Sequence, residues 1–239
     1  MNVRKWQAVI FDLDDTLYPE REFVLSGFQA VAAYTETRLG IPATQGYAEL
    51  KDLFEKGVRG DTFDRWLAAH NLAPGSLVPR LVQVYRDHEP KLTPFPEVRP
   101  LLDSLRHRYR LGIVSDGYLA VQKRKLAALE LAHYFDAIVF CDEWGRRGWK
   151  PSVNPFRTIL QRLAVVPLDS IYVGDNPIKD FVGARQVGMW TVQVCRPGGQ
   201  YSNLSPPTMQ HVPHLTLTSL TELEEFVGTD PILRNPIYS

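Results

Sequence analysis

The chain has 239 residues, 44% of them hydrophobic and 23% charged, so it can bury a core without disulfide staples and is far from the composition of disordered chains. Lysine plus arginine number 27 and aspartate plus glutamate number 27, so no global field draws nucleic acid or an anionic membrane, and an anionic ligand must be attracted locally. Two cysteines, Cys141 and Cys195, form no Cys-x-x-Cys and read as free thiols in a reducing cytoplasm rather than as a redox or metal pair.

The start, Met1 to Trp6, carries positive charge, but the apolar run behind it, Ala8 to Phe11, is too short for a signal-peptide core. No stretch approaches the roughly 18 apolar residues of a membrane helix. The expectation is a soluble cytoplasmic protein with no nucleic-acid or membrane partner. Ala8-Val9-Ile10-Phe11 is also the first β-rich run, and it ends at Asp12. Two helical stripes follow, Val24, Phe28, Val31 and Tyr34, then Leu77, Leu81, Val84 and His88, punctuated by Gly57, Gly60, Pro74 and Gly75. The segment Pro90 to Pro96 holds three prolines and cannot be a continuous helix. Beyond it Val98, Leu101, Leu102 and Leu105 share one helical face. Leu111-Gly112-Ile113-Val114 runs into Ser115, and Ala137-Ile138-Val139-Phe140-Cys141 into Asp142. A helix with the stripe Phe156, Ile159, Leu160 and Leu163 leads to Ile171-Tyr172-Val173-Gly174 before Asp175. A last run, Thr191-Val192-Gln193-Val194, has no such polar terminus. From Pro197 a Gly/Pro/Ser loop precedes a helix around Leu220 to Val227.

Continuous apolar runs alternating with amphipathic helices predict strands buried on both faces of a parallel sheet, an open α/β fold. About 100 residues separate Asp12 from Ser115, whereas later strand ends are spaced close to the roughly 30 residues of one βαβ unit. The excess marks a helical insertion over residues 18–91, leaving 1–17 and 92–239 as the α/β core, with the proline-rich exit as a hinge that lets the insertion close over bound substrate.

In such a sheet, polar residues placed directly after several strands converge on the carboxyl-end crevice. Asp12 and Asp14, two apart in an extended segment, point to one side while Asp15 points away. Their mutual repulsion calls for a divalent cation, and hard oxygen ligands favour Mg²⁺. Asp12 can attack phosphorus to give an aspartyl-phosphate, and Asp14 can protonate the leaving alkoxide and then activate water. Thr16 would hold the turn and the transferred group. Ser115, Asp116 and Gly117 place a hydroxyl and free backbone N–H groups at the opening of a helix, where a phosphoryl oxygen fits; a simple helix cap is the competing reading of Ser115. Lys150, after the third strand, would balance negative charge. Asp175 is free to bind metal, and Asp180 either supports that site or faces the helix dipole.

Asp12-Leu13-Asp14-Asp15-Thr16, Ser115, Lys150-Pro151 and Gly174-Asp175 with Asp180 together resemble the four ordered motifs of the haloacid dehalogenase superfamily, subfamily I. The resemblance spans residues 8 to 195. It implies a Rossmann-like three-layer sandwich with a central parallel sheet plus an inserted helical cap domain. It also implies Asp12 as nucleophile, Asp14 as acid/base giving its backbone carbonyl to Mg²⁺, Ser115 as phosphoryl ligand, Lys150 as counter-charge and Asp175 as metal ligand with Asp180 in support. In this superfamily an acid at Asp14 favours phosphate over carbon–halogen chemistry, because halide leaves unprotonated.

The resulting expectation is Mg²⁺-dependent hydrolysis of a small phosphorylated metabolite, of the sugar phosphate or nucleoside monophosphate class. A phosphomutase or phosphotransferase on the same scaffold, a silent phospho-ligand binding protein and a receiver domain are the alternatives; the long insertion and the intact acids fit the last two poorly. Zinc hydrolysis is disfavoured, because the six histidines show no His-x-x-x-His spacing. Arg21, Arg59, Arg146 and Arg147 are candidate contacts for a distal anionic group, and Trp144 and Trp149 flank the last two in a bulky loop. Monomer and homodimer both remain open.

Overall fold

The computed structural model describes residues 6–197 and 199–228; the basic start, residues 1–5, and Gly198 of the loop after Pro197 lie outside the described residues. Two compact units divide the chain, Met1–Pro19 with Thr93–Ser239, and Glu20–Leu92. Tyr18 and Pro19 thus fall on the side of the first unit and Leu92 on the side of the second.

The first unit is built on a single parallel sheet of β1 (Ala8–Phe11), β2 (Arg110–Ser115), β3 (Ala137–Phe140), β4 (Ser170–Gly174), β5 (Trp190–Val194) and β6 (Leu215–Leu217). Their spatial order is β3-β2-β1-β4-β5-β6, every pairing parallel. The chain moves outward from β1 to β3 and then crosses back to β4, so the order reverses between β1 and β4. Loops leaving those two strands part in opposite directions and open a crevice at their carboxyl ends. β1 is buried throughout, which is why it reads as a continuous apolar run.

The second unit holds α1 (Glu20–Leu39), α2 (Ala43–Glu55), α3 (Thr62–Ala69) and α4 (Leu77–Asp87). Phe28, Val31, Leu50, Phe54, Trp66 and Leu81 meet in its core. Gly57 and Gly60 separate α2 from α3, and both adopt positive φ. His88, part of the helical stripe by spacing, lies just past α4 with extended backbone.

In the first unit α5 (Val98–Leu105), α6 (Leu119–Leu129), α7 (Asn154–Leu163), α8 (Asp180–Gln186) and α9 (Thr221–Gly228) cover the sheet. α7 turns Phe156, Ile159, Leu160 and Leu163 onto Ile10, Val114, Val139 and Tyr172, and α8 adds Phe181 and Ala184 to the same core. Each such side chain contributes about 1.5–3 kcal/mol on burial. The strand residues between them, Val9, Phe11, Leu111, Ile113, Ile171 and Val173, are equally buried, so both sheet faces are covered. Among the described residues no helix is long and apolar enough to cross a membrane.

One local reading of the sequence changes: Ser115 is the last residue of β2, paired with Phe140, rather than the first residue beyond it. α8 begins at Asp180, and Pro177 lies in the turn before it. β6 was not legible at all, because three residues at a sheet edge carry no apolar run.

Candidate active site

Asp12 follows β1 directly, and its backbone N–H donates to Val173 O at 2.8 Å, which fixes its start against β4. Beyond it the chain curls rather than continuing extended: Leu17 N–H donates to Leu13 O at 3.0 Å, and Asp15 takes a left-handed φ of 51°. The backbone here is therefore a turn and not the extended segment expected, and the charge of Asp14 still acts on Asp12. Asp12 and Asp14 do not share one set of donors, and Asp15 is close enough for its charge to act on Asp175.

Lys150 is buried, and its Nζ lies 2.8 Å from Asp12 Oδ1. The same ammonium donates to Asp180 Oδ1 at 2.6 Å and to Tyr172 OH at 2.9 Å. Asp180, at the first residue of α8, accepts the backbone N–H of Asn176 on its other oxygen at 2.8 Å. A Cβ on Gly174 would lie 2.6 Å from Asp180 Oδ2, so glycine there leaves room for the carboxylate that holds Lys150. Burial keeps a lone ammonium neutral as a rule, but here Asp12 and Asp180 outweigh it and hold Lys150 protonated, well above the ordinary lysine value.

Asp12, Asp175 and Asp180 bring ligand oxygens within 4.8 Å of one another, all three buried. Burial, opposed by Lys150 and reinforced by Asp180, pushes the Asp12 carboxyl up to about 7. Burial together with Asp180 and Asp12 likewise raises Asp175 well above the ordinary carboxylate range. Three carboxylates against one directly bonded ammonium leave the cluster short of positive charge.

Asp14 has donors of its own, although its charge reaches Asp12. Its Oδ1 accepts from Lys125 Nζ at 2.7 Å and from the Tyr18 hydroxyl, and its Oδ2 accepts from Gln122 Nε2 at 2.8 Å. Burial opposes ionisation, yet Lys125, Tyr18 and Gln122 prevail and hold the Asp14 carboxyl below its ordinary value. Gln122 Nε2 also donates to Ser115 Oγ at 2.7 Å, which ties the end of β2 to the loop after β1.

Thr16 is fully buried, and among the described residues its Oγ1 has no hydrogen-bond partner. The Asp116 side chain accepts the backbone N–H of Lys150 at 2.9 Å and lies 3.6 Å from Lys179 Nζ, so that carboxylate braces the Lys150 loop instead of facing a ligand. Gly117 has a φ of 118°, and a Cβ there would stand 3.1 Å from Gln122 Cδ; its lack of a side chain seats Gln122. Asp142, the remaining strand-terminal acid, accepts Leu119 N–H and Trp149 Nε1, both at 3.0 Å, which caps α6 and anchors the loop Cys141–Gly148.

The arginines divide. Arg21 pairs with Glu55, and Arg59 donates to Phe54 O at 2.7 Å while stacking on the Phe54 ring, so both serve the helical unit itself. Arg146 lies over Tyr118 and Trp149 and donates to Tyr118 OH at 2.7 Å. Arg147 and Trp144 are exposed.

The family model for haloacid dehalogenase-like hydrolases matches residues 9–194. This chain belongs to that family. It is 33% identical over 229 residues to a glyceraldehyde 3-phosphate phosphatase of Methanopyrus kandleri, covering 92% of this chain and 97% of that protein. Similarity to the pyrimidine 5'-nucleotidase YjjG of Escherichia coli is 25% over 234 residues, 93% of this chain and 98% of the relative. Among solved structures, a haloacid dehalogenase phosphatase from Thermococcus onnurineus superposes with a TM-score of 0.60 at 26% identity, covering 93% of this chain and 98% of that one.

Within this family member, Gln122, Lys125, Tyr172 and Lys179 escaped the sequence reading. Tyr172 is indistinguishable from core in a continuous apolar strand. Gln122 and Lys125 carry a signal, since residues three apart share a helix face and theirs includes the buried Leu126 and Leu129, where an ammonium is out of place without a partner.

Proposed function

We propose that the protein hydrolyses small phosphate monoesters through an aspartyl-phosphate on Asp12. The observation that carries this reading is the buried Asp12 carboxylate, bonded to Lys150 beside Asp175 and Asp180, with Asp14 held separately by its own ammonium. In the first half-reaction Asp12 Oδ bonds to phosphorus, the ester P–O bond breaks, and Asp14, ionised at rest by Lys125, Tyr18 and Gln122, passes to the departing alkoxide the proton it has taken up from water in the preceding turnover. In the second, Asp14 takes a proton from water, the water oxygen bonds to phosphorus, and the Asp12–phosphorus bond breaks. The sum is monoester plus water giving alcohol plus phosphate. Lys150 balances charge on the nucleophile and the phosphoryl oxygens, and Ser115 with the unpartnered Thr16 Oγ1 supplies donors for those oxygens.

The residues present fit a divalent cation. A buried cluster with more carboxylates than ammonium groups, two of them held above the ordinary carboxylate range, lacks positive charge, and hard oxygen donors select Mg²⁺. Asp12 and Asp175 would hold it, with Asp180 behind them, and when bound it supplies neutralisation of phosphoryl charge. A folded carboxyl raised from 3.8 to about 7 binds its proton more tightly than the unfolded chain does. The stability it confers is therefore complete below its unfolded value and is lost as pH rises through about 7. Mg²⁺ replaces that proton, so its stabilising effect is greater at about pH 8 than at about pH 5, reaching about 2.7 kcal/mol at a hundredfold excess over Kd. Thermal unfolding with Mg²⁺ and with EDTA at the two pH values checks this, and an equal shift at both would count against the site.

Phosphorylated trioses lead the substrate proposal, from the glyceraldehyde 3-phosphate phosphatase relatives, with nucleoside monophosphates next. Phosphate release from glyceraldehyde 3-phosphate, UMP and phosphoserine, with and without Mg²⁺, tests it. The expected result is Mg²⁺-dependent release, fastest from the triose; no release from any monoester overturns the reading.

A further inference from the structure

Helix α6 turns two polar side chains, Gln122 and Lys125, into the interior, where they are 1% and 3% exposed. Both reach Asp14. Lys125 Nζ is 2.7 Å from Oδ1, and Gln122 Nε2 is 2.8 Å from Oδ2 and 2.7 Å from Ser115 Oγ. Tyr18 completes the set on Oδ1. Both oxygens of one carboxylate are therefore bound, by donors from two separate elements, which fixes the plane of the group as well as its place. An ammonium buried this deeply is unfavourable unless paired, and the apolar neighbours Leu126 and Leu129 show that the same face otherwise serves packing.

We propose that Lys125 and Gln122 are positioning residues for the proton-transferring carboxylate: from α6 they hold Asp14 in register with the phosphoryl site marked by Ser115, so that one side chain serves both the leaving alkoxide and the incoming water. This rests on the reading of Asp14 as the acid and base of hydrolysis. Gly117, whose missing Cβ leaves room for Gln122, belongs to the same device. Its consequence is a dependence on leaving group. An alkoxide needs the proton, whereas p-nitrophenolate departs without one, and both substrates need the base to release phosphate from Asp12.

The test compares wild type with Lys125→Met, Lys125→Arg, Gln122→Met and Asp14→Asn on glyceraldehyde 3-phosphate and on p-nitrophenyl phosphate, with thermal unfolding of each. For Lys125→Met the expected result is a kcat lower by about 10–100-fold on the triose phosphate with KM little changed, a fraction of the full acid–base contribution. On p-nitrophenyl phosphate it shows a burst of about one equivalent of p-nitrophenol per enzyme before slow turnover, the mark of a fast first half-reaction and an impaired second. Lys125→Arg restores part of kcat. Gln122→Met, which leaves no buried charge unpaired, gives the same split and also raises KM through Ser115, so the proposal stays testable if Lys125→Met does not fold. Should Asp14→Asn behave as wild type on both substrates, the reading of Asp14 fails. Should Asp14→Asn show the split while Lys125→Met and Gln122→Met fall equally on both substrates with no burst, or do not fall at all, the positioning role alone is overturned.

Discussion

Asp12→Asn loses monoester hydrolysis by about 10⁴-fold or more, the scale on which removing an attacking group reads, while its thermal stability does not fall. The pairing of these two results is what separates a nucleophile from a structural residue. Asparagine keeps the shape of aspartate and can still accept from Lys150, so the fold loses no volume. It removes one negative charge from a buried cluster in which burial and Asp180 already push the Asp12 carboxyl up to about 7. Less repulsion among Asp12, Asp175 and Asp180 leaves the folded state as stable as before or more so. Lys150 keeps Asp180 at 2.6 Å and is not orphaned. Phosphate release and thermal unfolding, measured on the same preparation, check both halves. Turnover within tenfold of wild type, or a large drop in melting temperature with activity lost only in proportion, removes Asp12 from the attacking role.

Lys150→Met is the opposite case, costing both activity and stability. Methionine fills much of the same volume, but Asp12 and Asp180 lose their shared counter-charge inside the protein, a change worth about 3–5 kcal/mol when one partner of a buried pair is removed. The carboxyls can escape by taking protons. Since Lys150 lowers the Asp12 value, its removal raises that value further, and the folded variant holds protons to higher pH than wild type. The stability loss is therefore greatest at about pH 8 and shrinks toward about pH 5, where the acids are neutral. Activity falls by about 10²–10³-fold, as for loss of one preorganised positive group at a developing anion. Urea unfolding at the two pH values reads the first effect and phosphate release the second. A stability loss independent of pH would mean that Lys150 acts through packing alone.

Much of the sheet was legible because its cause is local. A strand covered on both faces must be apolar at every position, so Ala8 to Phe11 and Ile171 to Gly174 announce themselves, and α7 declares its buried stripe through Phe156, Ile159, Leu160 and Leu163. β6 was hidden because three residues at an edge need no such run. The acids fared unevenly for a related reason. Asp12 and Asp175 stand at strand ends, where chain direction alone aims them into the crevice. Asp14 was grouped with Asp12 on the assumption of extended backbone, and the left-handed Asp15 with the turn from Leu13 to Leu17 sends it to a different set of donors. Asp116, next to Ser115, lies within the right motif, yet its carboxylate braces Lys150 N–H rather than facing a ligand.

The sequence by itself determined the alternation of strands and helices, the long helical insertion after β1 and the strand-terminal positions of Asp12, Ser115 and Asp175. These follow from periodicity, spacing and the direction of a strand, which a few neighbouring residues set. Only the tertiary structure decided the partners of each charge: Lys150 with Asp12, Asp180 and Tyr172, and Lys125 with Asp14 across more than a hundred positions of chain. Ion pairing inside a protein depends on distance and on the water excluded around it, and neither quantity exists until remote segments have packed.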